Sequence, residues 1–168
     1  MAISINDRQL ITQFITNTQN LNVNLPTNGG GCANLVRGII EQATGKRISV
    51  NPFGASLESM IQKINTYHDL AKCNNGDILY FVHLPNAAVN LHQTIHYAIF
   101  CNVNAGVQKN VIGINGLADL SFSPTAYHGV VASVISPGNF NGVGQVIYDT
   151  VAFPNILGEL YVIDYELI

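Results

Sequence analysis

Tryptophan is absent from the 168 residues, and charged side chains make up only 10% of them. Lys and Arg number 7 against 10 Asp and Glu, a formal charge of −3, with no basic cluster. That balance excludes a general attraction to nucleic acid or to an anionic membrane. No apolar run approaches membrane-spanning length. The segment Met1-Ala2-Ile3-Ser4-Ile5-Asn6-Asp7-Arg8 lacks the basic start and apolar core of a secretory signal. The expectation is a chain not exported by a cleavable signal, which leaves a specialised secretion route. With 3 cysteines, a disulfide framework is excluded, although Cys73 and Cys101 could pair in an oxidising compartment and leave Cys32 free. What is present is apolar: 48% hydrophobic residues exclude disorder of the charged, low-hydropathy kind. The length suits a single domain, residues 1–168, with no internal repeat.

The order of patterns is helices first, strands afterwards. Asn6 or Asp7 is placed to cap a helix carrying Leu10, Ile11, Phe14 and Ile15 on one face. Residues 17–30 read as a loop, and a second helix follows from Cys32 with Leu35, Val36, Ile39, Ile40 and Ala43 at helical spacing. Gly45 is its expected stop, with Lys46 and Arg47 near the negative end of its dipole. Ser56 is expected to cap a third helix bearing Leu57, Met60, Ile61, Ile64 and Tyr67. From Asn74-Asn75-Gly76 onward the spacing predicts strands over 77–83, 95–103, 107–115, 127–135, 143–151 and 160–168. Helices followed by antiparallel strands define an α+β class.

Cys32 draws attention because three glycines precede it and a helix follows it. A helix N-terminus stabilises an anion, and the thiolate is the attacking form of cysteine. It also lies on the apolar stripe, where an unpaired cysteine is ordinarily a buried, inert side chain. A nucleophilic reading requires a base, and 5 histidines are available. His68 and His83 read as surface residues at element ends. His96 opens the apolar strand His96-Tyr97-Ala98-Ile99-Phe100, so a rigid element would hold its ring. A hairpin turn at Ala105-Gly106 sets Asn115 opposite His96, where a carboxamide fixes an imidazole tautomer. A slip of one residue would substitute Ile114, and Asn102, Asn104 and Asp119 are alternative orienting groups. His128 is the alternative base. A metal shared by His92 and His96 is disfavoured, because on a strand the two rings stand roughly 13 Å apart. No metal and no cofactor is expected.

Three segments resemble a family pattern in the same order. Gly31-Cys32-Ala33-Asn34-Leu35-Val36-Arg37 is similar to the cysteine-headed helix of papain-like cell-wall amidases and endopeptidases. Gly76-Asp77-Ile78-Leu79-Tyr80-Phe81 resembles the Gly-Asp strand that precedes their histidine, and His96-Tyr97-Ala98-Ile99-Phe100 resembles their histidine strand. The likeness extends to NlpC-type and CHAP domains and to the amidase effectors of type VI secretion. It covers about residues 28–115; residues 120–168 match no motif and are expected to add strands to the sheet. The implied fold is N-terminal helices packed on an antiparallel sheet, with Cys32, His96 and Asn115 as the catalytic set.

The implied activity is amide hydrolysis through a thioester, with the Cys32 backbone N–H holding the oxyanion. The implied substrate is a peptidoglycan stem peptide, and the implied setting is a secreted antibacterial effector, acting in a target periplasm and neutralised by an immunity protein. One alternative keeps the Cys–His pair in a toxin that deamidates or cleaves a host protein. Another has no catalysis, the domain serving as a binding or structural module.

Overall fold

The computed structural model describes residues 3–21, 32–49, 59–84, 95–102, 109–113, 131–148 and 156–168. Helix α1 spans Ile5–Leu21 and α2 spans Cys32–Thr44. Strand β1 is Ile61–Ile64, followed by the short helix α3, Tyr67–Ala71. Strands β2 (Ile78–His83), β3 (Ile95–Phe100), β4 (Lys109–Gly113), β5 (Val131–Ile135), β6 (Val146–Tyr148) and β7 (Ile156–Ile163) complete the described elements. Among the described residues the strands form one antiparallel sheet in the order β1-β7-β2-β3-β4-β5, with β6 also paired to β7. The class is α+β, as expected.

Several local expectations are corrected. The cap of α1 is Ser4, whose Oγ accepts from the Asp7 N–H at 3.1 Å; Asp7 itself lies in the first turn. Helix α1 continues to Leu21, through part of the segment expected to be a loop. Ser56 and Leu57 of the expected third helix lie outside the described residues, and within the described part Ile61–Ile64 form a strand. Ile61 to Ile64 pair with β7, and α3 begins only at Tyr67. There Thr66 and Asp69 form a capping box, each side chain answering the other's backbone N–H. Sheet pairing has overridden a helical spacing that Ile61 and Ile64 happen to satisfy. Gly45 does stop α2, at φ +69°, with its N–H on the Glu41 carbonyl at 2.9 Å.

Strand alternation sorts the core into two faces. Ile78 and Ile99 join Ile11 and Ile15 of α1 and Val36, Ile39 and Ile40 of α2 in one buried cluster. Leu79, Phe81, Ala98, Phe100 and Leu160 join Ile64 and Leu70 on the other face. Cys101 belongs to the first cluster, and Cys73 packs against the second; both thiols are free. The two thiols thus stand with different core clusters.

One end of the sheet is a junction. Arg8 of α1 contacts Asp77 at 2.7 Å and donates to the Asn75 carbonyl at 3.0 Å. Gly76 and Asp77 exchange backbone bonds with Phe100 at the end of β3, and the buried Tyr165 hydroxyl donates to the Gly76 carbonyl at 2.6 Å. Lys46, just past α2, reaches Asp7 at 2.8 Å. The Gly-Asp dipeptide singled out in the sequence is thus a structural tie between α1, β2, β3 and the C-terminal segment.

Candidate functional site

Cys32 is the first residue of α2, so its backbone N–H is among those a helix leaves without an intrahelical partner. Because Lys46 fixes the other end of α2 at the junction, Cys32 stands at the remote end, about 18 Å along the helix axis. His96 is the second residue of β3 and likewise lies toward the end of its strand away from the junction. The face is a different matter. Regular pairing sets His96 opposite Phe81, in the alternation that carries Ala98 and Phe100. Helix α2 packs with Ile99 and Tyr97, on the opposite face. The backbone therefore brings Cys32 and His96 toward one end of the sheet.

Asn115 and His128 lie outside the described residues, as do His92, Asn104 and Asp119. The hairpin register that aligned Asn115 with His96 is observed where it is described: Ile99 pairs with Ile112, and Phe100 with Val111. His83 closes β2, and His68 is an exposed residue of α3. No group of three or more His, Cys, Asp or Glu side chains suited to a metal ion occurs among the described residues.

Two clefts meet at Asp77, of about 350 and 390 Å³. The first is lined by Asp69, Lys72, Cys73 and Asp77; the second by Arg8, Asn74, Asp77 and Asp164. Their volumes suit a small ligand, but Asp77 and Asp69 are engaged. Asp77 takes Arg8 on one oxygen and the Asn74 N–H on the other. Asp69 closes the α3 cap. Burial, reinforced by Asp77 and Asp69, pushes the Cys73 thiol up to about 12, and burial pushes Cys101 up to about 11. Both stay protonated at neutral pH and are poor nucleophiles.

What sequence reading passed over lies on the α2 side of the sheet. Register partners form transverse rows there. One row is Ile61, Ile163, Ile78, Ile99 and Ile112 across five strands. The next row is Lys63, Tyr161, Tyr80 and Tyr97. Beside it, Lys63 Nζ contacts Glu159 Oε2 at 2.8 Å, and the Tyr161 hydroxyl donates to the same oxygen at 3.2 Å. The Lys63 bond holds the Glu159 carboxyl below its ordinary range, and the same bond raises Lys63. The signal was in the triplets Ile61-Gln62-Lys63, Ile78-Leu79-Tyr80, Tyr97-Ala98-Ile99 and Tyr161-Val162-Ile163. Each sets Ile two positions from Tyr or Lys, and antiparallel pairing aligns them.

No family model, no curated protein and no solved structure matches the chain.

Proposed function

We propose that the protein is a cysteine-dependent amide hydrolase of papain-like architecture, acting on peptidoglycan stem peptides, with Cys32 as nucleophile. The observation that carries this reading is the position of Cys32 at the head of a thirteen-residue helix. There the first-turn N–H groups and the positive end of the dipole favour both a thiolate and an oxyanion. The resemblance of three ordered segments supplies the substrate class and the setting, a secreted effector countered by an immunity protein.

In this mechanism the Cys32 sulfur attacks the amide carbonyl, and the Cys32 N–H takes the oxyanion. An imidazolium protonates the leaving amine, and the same ring activates water against the thioester. His96, oriented by Asn115, and His128 compete for that role. Cys32→Ala should abolish release of muropeptides from purified peptidoglycan while the far-UV circular dichroism stays that of the wild type. One of His96→Ala and His128→Ala should reproduce the loss. An unchanged muropeptide profile for Cys32→Ala overturns the reading. Ammonia or peptide release from a host protein, with peptidoglycan left intact, moves the same nucleophile to the toxin reading.

The apolar stripe that Cys32 heads in α2 favours a second reading, a binding module without catalysis. It expects Cys32 to resist iodoacetamide until the chain unfolds, whereas a catalytic thiolate is alkylated well below about pH 8.

A further inference from the structure

Four Asn-Gly dipeptides occur in the chain, and two lie among the described residues, Asn75-Gly76 and Asn141-Gly142. Such a pair carries its own chemistry. The glycine nitrogen, with no Cβ beside it, is open to attack the asparagine side-chain carbonyl and close a cyclic imide. At Asn75 the fold blocks this. The Gly76 N–H donates to the Phe100 carbonyl at 2.9 Å, the residue is buried, and a Cβ there would lie 3.2 Å from Ile11 Cδ1. Asn75 is held at both its carbonyls, Oδ1 by the Asn102 N–H at 2.7 Å and the main-chain oxygen by Arg8 at 3.0 Å.

Asn141-Gly142 has the opposite surroundings, in the turn before β6. Gly142 is exposed, a Cβ there would meet nothing within 4 Å, and no bond reaches its N–H among the described residues. Asn141 Oδ1 accepts from the Val143 N–H at 3.1 Å and the Gln145 N–H at 3.0 Å, and Nδ2 donates to Gln145 Oε1 at 3.2 Å. The Val143 bond closes a small ring that contains both Asn141 Cγ and the Gly142 nitrogen. Two N–H groups aimed at Oδ1 stabilise the negative oxygen that forms there on attack. The Gln145 amide holds the nitrogen that departs.

We propose that Asn141-Gly142 is a self-modification site, at which the Gly142 nitrogen attacks Asn141 Cγ and turns the residue into aspartate and isoaspartate. The new Cγ–N bond replaces Cγ–Nδ2. Water carries the Gly142 proton to the departing nitrogen, ammonia leaves, and nothing is oxidised or reduced. A second water opens the imide at Cγ to give aspartate, or at the main-chain carbonyl to give isoaspartate. Isoaspartate adds a carbon to the main chain of a turn now closed by the Asn141 N–H on the Gln145 carbonyl, at 2.9 Å, and by the Phe140–Val146 bridge. Phe140 packs edge-on against Tyr67 of α3, and Gly144 lies against Asn65, a wall of the first cleft. The modification therefore acts on the support of α3 and of that cleft. It is independent of the hydrolase reading.

The test incubates the intact chain at physiological temperature and mildly alkaline pH and maps its peptides by mass spectrometry, with fragmentation that separates aspartate from isoaspartate. In the folded chain Asn141 should convert at least about tenfold faster than Asn75. In urea the two should convert at like rates, because each is then an Asn-Gly pair in an open chain. Gly142→Ala, for which the turn has room, should slow conversion of Asn141 at least about tenfold, because the methyl group shields the nitrogen. The isoaspartate fraction, isolated by ion exchange, should unfold at a lower urea midpoint than the unmodified chain. Equal conversion of Asn75 and Asn141 in the folded chain, a preference for Asn141 that persists unchanged in urea, or an undiminished rate in Gly142→Ala overturns the site. An unchanged midpoint overturns its effect on the fold.

Discussion

Asp7 is 3% exposed, a buried charged residue in the first turn of α1. Its Oδ2 meets Lys46 at 2.8 Å, while Oδ1 has no partner among the described residues. The Lys46 bond holds the Asp7 carboxyl below its ordinary range against the opposing effect of burial, with Ser4 helping. A folded-state value below the unfolded one contributes stability above the unfolded pKa, and that contribution is lost as pH falls through the folded value. Lys46→Met reverses the balance, because the carboxylate would then be buried with no cation. At about pH 7 the variant should lose about 1–3 kcal/mol in urea unfolding. The deficit should shrink as the pH is lowered through the carboxylate range, since a protonated Asp7 no longer needs the ammonium. A deficit that is constant from neutral to acid pH would mean that the pair contributes only packing. Sequence reading put Lys46 near the end of α2 for the sake of its dipole. Its actual partner lies on another helix, and nothing local to either residue announces that.

At the scale of single elements, what was legible depended on whether a signal was local. Gly45 as the stop of α2 and Cys32 as its start were legible, because caps and helical spacing are properties of neighbouring residues. The Thr66-Tyr67-His68-Asp69 capping box was equally local and was missed, because the stripe from Leu57 to Tyr67 suggested a helix already under way. The strand character of Ile61–Ile64 was not local at all; it comes from pairing with Leu160–Ile163. Gly158 shows the same dependence on a distant partner. It pairs with His83, and a Cβ there would overlap the Phe81 ring and lie 2.7 Å from the Val82 carbonyl. Phe81 is fully buried in the second core cluster and has nowhere to retreat. Gly158→Ala should therefore destabilise by about 1–3 kcal/mol, read as a lower urea midpoint with an unchanged slope. Gly142, in the turn before β6, has open space for a Cβ, and its alanine variant should be near neutral. If the two variants behave alike, the contact between β7 and Phe81 is looser than the geometry requires.

For the molecule as a whole, the order β1-β7-β2 is the feature that reshapes the reading of the sequence. The residues 120–168 were expected to supply extra strands that complete the sheet. They do so from its interior rather than its margin: β7 is paired on one side with β2 and on the other with β1 and β6. Leu160 and Ile163 serve opposite faces of the core. The chain beyond β7 returns to the segment after α2, where Arg47 and Ile168 exchange backbone bonds and Ile48 bridges Leu167. Pairings of such wide sequence separation delay loop closure and place this topology among slowly folding ones. They also predict that residues 1–155 cannot keep the architecture alone. Without 156–168, β1 loses its partner, β2 becomes an edge, and the Gly76 carbonyl loses the Tyr165 hydroxyl. The shortened chain should show no cooperative urea transition by near-UV circular dichroism. Adding a synthetic peptide of residues 156–168 should restore one in a concentration-dependent way, by strand insertion. A shortened chain that unfolds cooperatively unaided would show that the motif-bearing half is a self-sufficient unit and that β7 is an accessory to it.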